Sequence, residues 1–507
     1  MNSTFEMIAK TFQGLENMLA TELIDLGAND IQIGRRMVSF TGDKEMLYRA
    51  NFALRTAIRI LKPIHHFRAT SAEEVYDRIK EIDWNQYMTL DTTFAIDSVV
   101  YSSEFTHSKF VAYKVKDAIA DWFREHYDGQ RPNVRITNPD LQLHIHIAEY
   151  DCTLSLDSSG ESLHRRGYRQ ETVEAPLNEV LAAGIIMLSG WKGECDFIDP
   201  MCGSGTLAIE AALLARGIAP GVFRSEFAFE KWPDFDADLL QRIYDDDSQE
   251  RPFEHHIYGY DINHNAVAIA TNNVRAAGLS SCITIQQQDF ADFQQPSQKS
   301  IVITNPPYGE RISAPDLLGL YRMIGSQLKH QLVDCDAWIL SYRQECFEQI
   351  GLKPSVRIPL FNGSLECELR KYQIFSGKLN DLKAEGGDIK TAAERRLSAD
   401  HRRFRQHRDF NKGLEEKDDK RSFEQRRRDE LNERRQQRRQ AFGRDEEGRE
   451  EYGDRRYSRR PNYGRDEDRR DDRRSKGGYG KRDDFKRGKR NDDFKRGGGR
   501  GDRRFKD

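Results

Sequence analysis

Hydrophobic positions in the first 160 residues change period several times. Leu15, Met18, Leu19, Leu23 and Leu26 recur at helical spacing and stop at Gly27, a residue suited to a helix C-terminus. The run IQIGRRMVSF at 31–40 predicts one or two short strands, and a second helix is expected from Asp43 to Ala57. Ser71-x-x-Glu74 has the form of a capping box opening a third helix. TTFAIDSVV then predicts a strand, and HSKFVAYKVKDAIADWF an amphipathic helix starting near Ser108. In LQLHIHIAEYDCTLSLDSSG, Leu141, Leu143, Ile145 and Ile147 alternate against Gln142, His144 and His146, as in a half-buried hairpin. The two histidines share a face with no third ligand nearby, so they are expected to face solvent rather than bind metal.

From Glu174 the pattern becomes strand and helix in alternation, the signature of an α/β domain with a parallel sheet. EAPLNEVLAAGIIMLSGW at 174–191 predicts a helix with Pro176 in its first turn and Glu179 on its surface. In CDFIDPMCGSGTLAIEAALLARG the apolar strand ends at Asp199, Gly203 and Gly205 make a turn, and Thr206 to Arg216 continue as a helix. IYGYD ends at Asp261 before a helix from Asn265 to Ala277, CITIQQQD ends at Asp289, and SIVIT runs into Asn-Pro-Pro-Tyr at 305–308. The stretch around Trp232, Pro233 and Asp245 to Asp247 is expected to be an insertion.

Composition divides the chain in two. The net charge of −3 conceals 44 basic and 31 acidic residues in 376–507, a tail of +13 attached to a body of −16. About 17% of that tail is apolar, against about 44% of the remainder, so the tail is expected to be disordered. A body of this length is expected to hold two or three domains. No run of 18 apolar residues spans a membrane, no leader pattern opens the chain, and the seven cysteines never fall as Cys-x-x-Cys. A reduced, cytoplasmic protein without structural zinc is the expectation.

Gly203-x-Gly205-x-x-Ala208 also fits a dinucleotide fingerprint, which keeps a dehydrogenase in view. Such a site wants its ribose-binding acid about 20 residues on. Here the next strand-terminal acid, Asp261, lies 56 residues beyond Gly205. Each polar group instead emerges at the C-terminal end of a strand, where open parallel sheets bind ligands. Any one of the acids can equally cap a helix, and Asn-Pro-Pro-Tyr alone can be a turn.

The succession resembles class I S-adenosylmethionine-dependent methyltransferases that act on amino groups. The resemblance implies that Asp199, Met201, Gly203 and Gly205 surround the methionine part of the cofactor. It implies that Asp261 holds the ribose hydroxyls with Ile262 on the adenine, and that Asp289 takes the adenine amine with Phe290 beside the ring. It further implies that Asn305 and the Pro306 carbonyl hold the target amine while Tyr308 stacks on a flipped base. No metal is needed. Cys202 offers a nucleophile for carbon methylation but lies on the cofactor side.

The block 43–156, most specifically KVKDAIADWF, resembles the THUMP RNA-binding domain. Lys109, Lys114 and Lys116 are then candidate phosphate contacts, although each is equally read as the wet face of a helix. Arg165, Arg166 and Arg169 make the connector 157–173 a candidate RNA hinge or a solvated linker. Residues 1–42 begin a small ferredoxin-like α+β unit, 174–375 form the Rossmann-like methyltransferase domain, and 376–507 form a tail suited to loose binding of single-stranded nucleic acid. Over 1–375 this order resembles the bacterial large-subunit ribosomal RNA guanine-N2 methyltransferases, implying 23S rRNA or a large-subunit assembly intermediate as partner. A THUMP-type transfer RNA guanine-N2 methyltransferase is the nearest alternative. Adenine-N6 and release-factor glutamine methyltransferases share the Asn-Pro-Pro-Tyr motif but not the upstream RNA-binding block. A ribosome assembly factor with little catalysis is the alternative of another class.

Overall fold

The computed structural model describes residues 4–374 apart from 106, 297–298, 310–315 and 333, so the charged tail 376–507 lies outside the described residues. The first half of the chain contributes β1 (Phe5–Lys10), α1 (Glu16–Asp25), β2 (Asn29–Gly34), β3 (Met37–Gly42), α2 (Lys44–Ala53) and β4 (Arg59–Arg68). It continues with α3 (Ala72–Lys80), β5 (Phe94–Tyr101), α4 (Ser108–His126), β6 (Leu141–Ala148) and β7 (Asp151–Asp157). All seven strands join one sheet in the order β2-β3-β1-β4-β7-β6-β5.

Strand β4 makes that continuity. Its first residues, Arg59 to Leu61, pair antiparallel with Lys10 to Ile8 of β1, and Leu61 to Arg68 pair antiparallel with Asp157 to Asp151 of β7. The ferredoxin-like unit and the second α+β unit therefore share backbone hydrogen bonds rather than a flexible joint. Local signals set the helix starts. Asp43 accepts from the Met46 amide at 3.0 Å and Ser71 from the Glu74 amide at 3.2 Å. The Glu74 carboxylate reaches back to Thr70, one residue earlier than a capping box requires.

His144 does not face solvent. It is 6% exposed, and burial first, then the positive charges of Lys10, His146 and Arg59, push its imidazole down to about 3. Strand β6 lies between β5 and β7, with Asp97 and Ser155 beside His144, so neighbours on both sides close over its polar face.

The second half comprises α5 (Glu179–Ser189), β8 (Asp196–Asp199), α6 (Thr206–Arg216), α7 (Ala237–Tyr244), β9 (Ile257–Asp261), α8 (His264–Ala276), β10 (Ile283–Gln287), β11 (Ser300–Thr304), α9 (Leu317–His330), β12 (Asp336–Ser341), α10 (Gln344–Gln349), β13 (Val356–Asn362) and β14 (Leu365–Gln373). The sheet order is β10-β9-β8-β11-β12-β14-β13. The first five strands are parallel, and the last two run antiparallel to their neighbours. Strand order reverses between β8 and β11, the place where such sheets bind ligands. Pro176 lies outside α5, because Asn178 is the N-cap and accepts from the Val180 and Leu181 amides.

The insertion between α6 and β9 packs into the first half of the chain. Phe227, Phe229, Trp232, Leu240 and Ile243 belong to the same buried cluster as Tyr48 and Phe52 of α2. The Tyr48 and Phe229 rings stack at 4.1 Å, and Tyr244 meets Phe52 edge-on at 4.8 Å. Burial of each such side chain stabilises the joint by roughly 1.5–3 kcal/mol. Arg55 reinforces it by donating to the carbonyls of Leu213 and Ile218. The two halves thus share this buried cluster, while most of the second half packs in two further clusters.

Candidate active site

Strand β8 occupies the middle of the second sheet, between β9 and β11, and delivers Asp199 at its C-terminal end. The chain then turns through Gly203 (φ 53°) and Gly205 (φ 81°), both in the left-handed region that favours glycine, before α6 begins. A side chain at Gly205 would crowd Ala270 of α8 at 3.2 Å, whereas one at Gly203 would meet only Val173, at 3.9 Å. The loop is therefore packed on one side and open on the other, as a cofactor cradle must be.

Asp199 is 1% exposed and accepts from Thr304 Oγ1 at 2.9 Å and from the Met201 amide at 3.3 Å. Burial, opposed by these two bonds and aided by the charge of Asp261, pushes its carboxyl up to about 7. A buried acid with so little compensation fits a site that receives a cationic group. Asp261, at the end of β9, accepts from the Gly203 amide and the Asn263 amide, both at 2.9 Å, and so ties the glycine loop to the next strand. Ile262 beside it is 65% exposed. Asp289 accepts from the Ala291 amide at 2.9 Å, capping the short turn Phe290–Asp292. Phe290 is buried against Phe293, with ring centroids 5.5 Å apart, so its ring belongs to the core under the site. Met201 is half-buried. Cys202 is buried, and burial with the charges of Asp199 and Asp261 raises its thiol far above the ordinary range, which opposes a nucleophilic role.

Strand β11 is buried along its whole length and ends at Thr304, so Asn305 emerges directly beside Asp199. Pro306 is buried, and the Pro307 carbonyl accepts from the hydroxyl of Tyr321, itself held by Ser341. Tyr308 turns inward: its hydroxyl donates to Asn305 Oδ1, and its ring meets Tyr342 edge-on at 5.7 Å.

The connector departs from expectation. Arg166 is 2% exposed, pairs with Glu210 at 3.4 Å and donates to the carbonyls of Leu163 and Arg55, so it is a core residue and no RNA contact. Arg169 donates to Glu179 at 2.7 Å, Ser204 Oγ at 2.8 Å and Thr206 Oγ1 at 2.9 Å. Glu179 is correspondingly buried rather than on the surface. These bonds pin the connector to both flanks of Gly205. Asn273 does the same from α8, accepting from the Gln170 amide and donating to the Ser204 carbonyl. Arg165 is exposed, in an ion pair with exposed Glu161.

On α4, Lys109 and Lys116 lie on one stripe with Tyr113, whereas Lys114 turns toward α3 and pairs with Glu73 at 3.1 Å. Among the described residues no group of three or more His, Cys, Asp or Glu side chains is placed to hold a metal.

Thr304, Asn273 and Tyr321 were not read as site residues from sequence, and Arg169 was read as a candidate RNA contact rather than as the partner of Glu179. Only Asn273 carried a signal: it falls on the apolar stripe of α8, with Ala266, Ala270 and Val274, where a polar residue needs a buried partner.

A parallel sheet reversing at β8, a glycine loop at that point, acids at successive strand ends and Asn-Pro-Pro-Tyr after β11 define a class I S-adenosylmethionine-dependent methyltransferase. Family models match three consecutive stretches: the RlmL ferredoxin-like domain over 6–61, the THUMP domain over 69–157 and the RMKL-like methyltransferase domain over 166–371. The candidate RNA methyltransferase slr0064 of Synechocystis sp. is 37% identical over 380 residues, covering 74% of this chain and 98% of that protein. Ribosomal RNA large subunit methyltransferase K/L of Methylococcus capsulatus is 39% identical over 384 residues, 74% of this chain and 52% of the relative. The chain thus spans about half the length of the K/L relatives it matches. A crystal structure of SMU.472, a candidate methyltransferase complexed with SAH, superposes with a TM-score of 0.67 at 30% identity, covering 75% of this chain and 100% of that one. The chain belongs to the RMKL-like family of THUMP-containing RNA methyltransferases.

No helix among the described residues is long and apolar enough to cross a membrane.

Proposed function

We propose that this chain methylates the exocyclic N2 of a guanine in 23S ribosomal RNA, within the free RNA or a large-subunit assembly intermediate, in the cytoplasm. The observation that carries the reading is the placement of Asn305 at the end of β11, one residue beyond the Thr304 that bonds Asp199. That adjacency supports a loop that holds the target amine next to the methionine end of the cofactor.

An exocyclic base amine is a poor nucleophile because its lone pair is delocalised into the ring. Two acceptors on its N–H groups fix its orientation, and Asn305 Oδ1 and the Pro306 carbonyl are the available pair. S-adenosylmethionine supplies an electrophilic sulfonium methyl. Buried Pro306 and the Tyr321 bond to Pro307 hold the loop stiffly, so alignment rather than acid or base strength lowers the barrier. The bond Tyr308 makes to Asn305 must open for the amine to enter, and stacking of the Tyr308 ring on the extruded base further requires it to leave its place beside Tyr342. The assignment of Asp199, Met201, Gly203, Gly205, Asp261, Ile262 and Asp289 to the cofactor belongs to the same proposal. For Phe290 the proposed role is to back the adenine site from the core.

The test is incubation of the full chain with labelled S-adenosylmethionine and, separately, 23S, 16S and transfer RNA, followed by nucleoside analysis. N2-methylguanosine confined to 23S rRNA is expected. Label in transfer RNA alone, or in N6-methyladenosine, would replace the reading.

A further inference from the structure

The protein carries a cleft of about 890 Å³ between β5, α4, the segment 134–139, the connector and the insertion. Its size lies within the range of sites that take small organic groups, roughly 300–1,000 Å³. A second groove, of about 490 Å³, shares Glu161, Arg165 and Gly167 with the first and continues past Arg169 to Pro176 and Glu179. Because Arg169 also bonds Ser204 and Thr206, this path runs from α4 to the edge of the cofactor loop.

Three features of the path point to one ligand chemistry. Tyr113 and Ile136 stand at the cleft 58% and 87% exposed, and Val134 is 43% exposed, an apolar platform largely open among the described residues, with the Lys116 ammonium 5.7 Å from the Tyr113 ring centroid. The platform is built rather than loose, since the Phe94 amide donates to Asn133 and the Arg135 amide to the Phe94 carbonyl, each at 3.0 Å. Lys116 and Arg165 flank it, and their partners Asp117 and Glu161 are exposed, so these weak surface pairs leave both cations available to phosphate.

The channel is also preformed. Arg224 donates to the carbonyls of Ser159, Glu161, Ser162 and Arg165, fixing the shape of the connector. Any side chain at Gly167 would strike the Phe223 carbonyl. Glu161 and Glu226 line the same cleft, so its charge is mixed and stacking must share the work with phosphate attraction.

We infer that this path holds an unpaired segment of the RNA substrate, a base stacking on Tyr113 and Ile136 and the backbone passing Lys116 and Arg165 toward the cofactor loop. The inference rests on the RNA-methylating reading above. A stacked base with flanking cations is how proteins hold single strands, whereas a duplex offers no open base face.

The test uses the full chain and an oligouridine carrying 4-thiouridine, cross-linked by light and mapped by peptide mass, with the same strand annealed in a duplex as control. Cross-links are expected in 110–116 and 133–139 for the single strand. In Tyr113→Ala/Ile136→Ala their yield should fall about tenfold or more, the loss of one stacked base. Both positions are exposed, so the variant should keep the SAH affinity of the wild type. Absence of cross-links in those peptides, equal yield with the duplex, or unchanged yield in the double variant overturns the inference. No methyl transfer is measured, so cross-links with an unmodified 23S rRNA would sink the proposed target while the strand path stands.

Discussion

The guanidinium of Arg169 lies 2.7 Å from the carboxylate of Glu179, and its other nitrogens reach the hydroxyls of Ser204 and Thr206 on either side of Gly205. A connector that follows the THUMP domain thereby shapes the glycine loop. Arg169→Ala would leave Glu179 buried without its partner, a change that costs about 3–5 kcal/mol when such a pair is broken. We expect a lower melting temperature and SAH affinity reduced by tenfold or more, with RNA affinity held within twofold. Calorimetric titration of SAH and filter binding of RNA check the two halves. Weaker RNA binding at normal SAH affinity would return Arg169 to the RNA surface.

Asn305→Ala removes one of the two acceptors proposed for the target amine. Loss of a single oriented group at a reaction centre lowers turnover by about 10²–10³. SAH binding should persist, since Asn305 makes no bond to the glycine loop. Tyr308→Phe is the informative companion: it keeps the ring but releases Asn305 Oδ1. Its turnover should match or exceed that of wild type, whereas Tyr308→Ala should lose it. Single-turnover methylation assays distinguish the three.

The pH dependence follows from Asp199. Its folded carboxyl holds a proton up to about 7, above the ordinary 3.8, because it is buried. Between those values the folded state binds more protons than the unfolded one, so this group's contribution to stability declines as pH rises through the window and is flat above it. On the proposed assignment of Asp199 to the methionine end of the cofactor, the cationic amino group there favours the ionised form. SAH affinity should therefore rise with pH up to about 7 and then level off. Asp199→Asn should abolish that slope and weaken binding at every pH. A pH-independent Kd for the wild type would refute the account.

Gly221 sits where a side chain would lie 2.6 Å from the backbone oxygen of Phe52. A carbonyl in the shared core cannot move as a side-chain tip can, so Gly221→Ala should cost about 1–3 kcal/mol. Urea denaturation followed by tryptophan fluorescence should show an earlier midpoint in one transition, because both halves depend on the same joint. Two separate transitions in the wild type would contradict that dependence on the joint.

Removal of 376–507 takes away a net charge of +13. The truncated chain should unfold cooperatively, and its RNA affinity should fall chiefly at low salt, flattening the dependence of log Kd on log salt. Loss of cooperative unfolding would count against the boundary at Phe375.

Periodicity reads well where an element buries one face. The helices at Ser71 and Ser108 and the strands ending at Asp199, Asp261 and Thr304 lie where their patterns put them. Strands β1 and β4 were not anticipated: β1 is six residues long, and β4 carries Pro63 in mid-strand, tolerated at an irregularity in its pairing with β7. Arg166 and His144 share another difficulty. Charge and alternation assign them to water, but Glu210 and a neighbouring strand on each side keep them inside, and those partners are distant in sequence. The strand-end acids and Asn-Pro-Pro-Tyr were legible because their chemistry is local. The residues that hold them still were not, because Arg169, Asn273 and Tyr321 act through tertiary contacts.

The aromatic joint between α2 and the insertion gives the enzyme a fixed internal length. With no slack between the part that grips RNA and the loop after β11, the reach from one to the other is a property of the fold. An RNA held at the first would present to the second whichever nucleotide lies that far along its path. On the proposed function, choice of target becomes a matter of measurement as well as of base identity, and the loop itself needs to tell only one amine-bearing base from another.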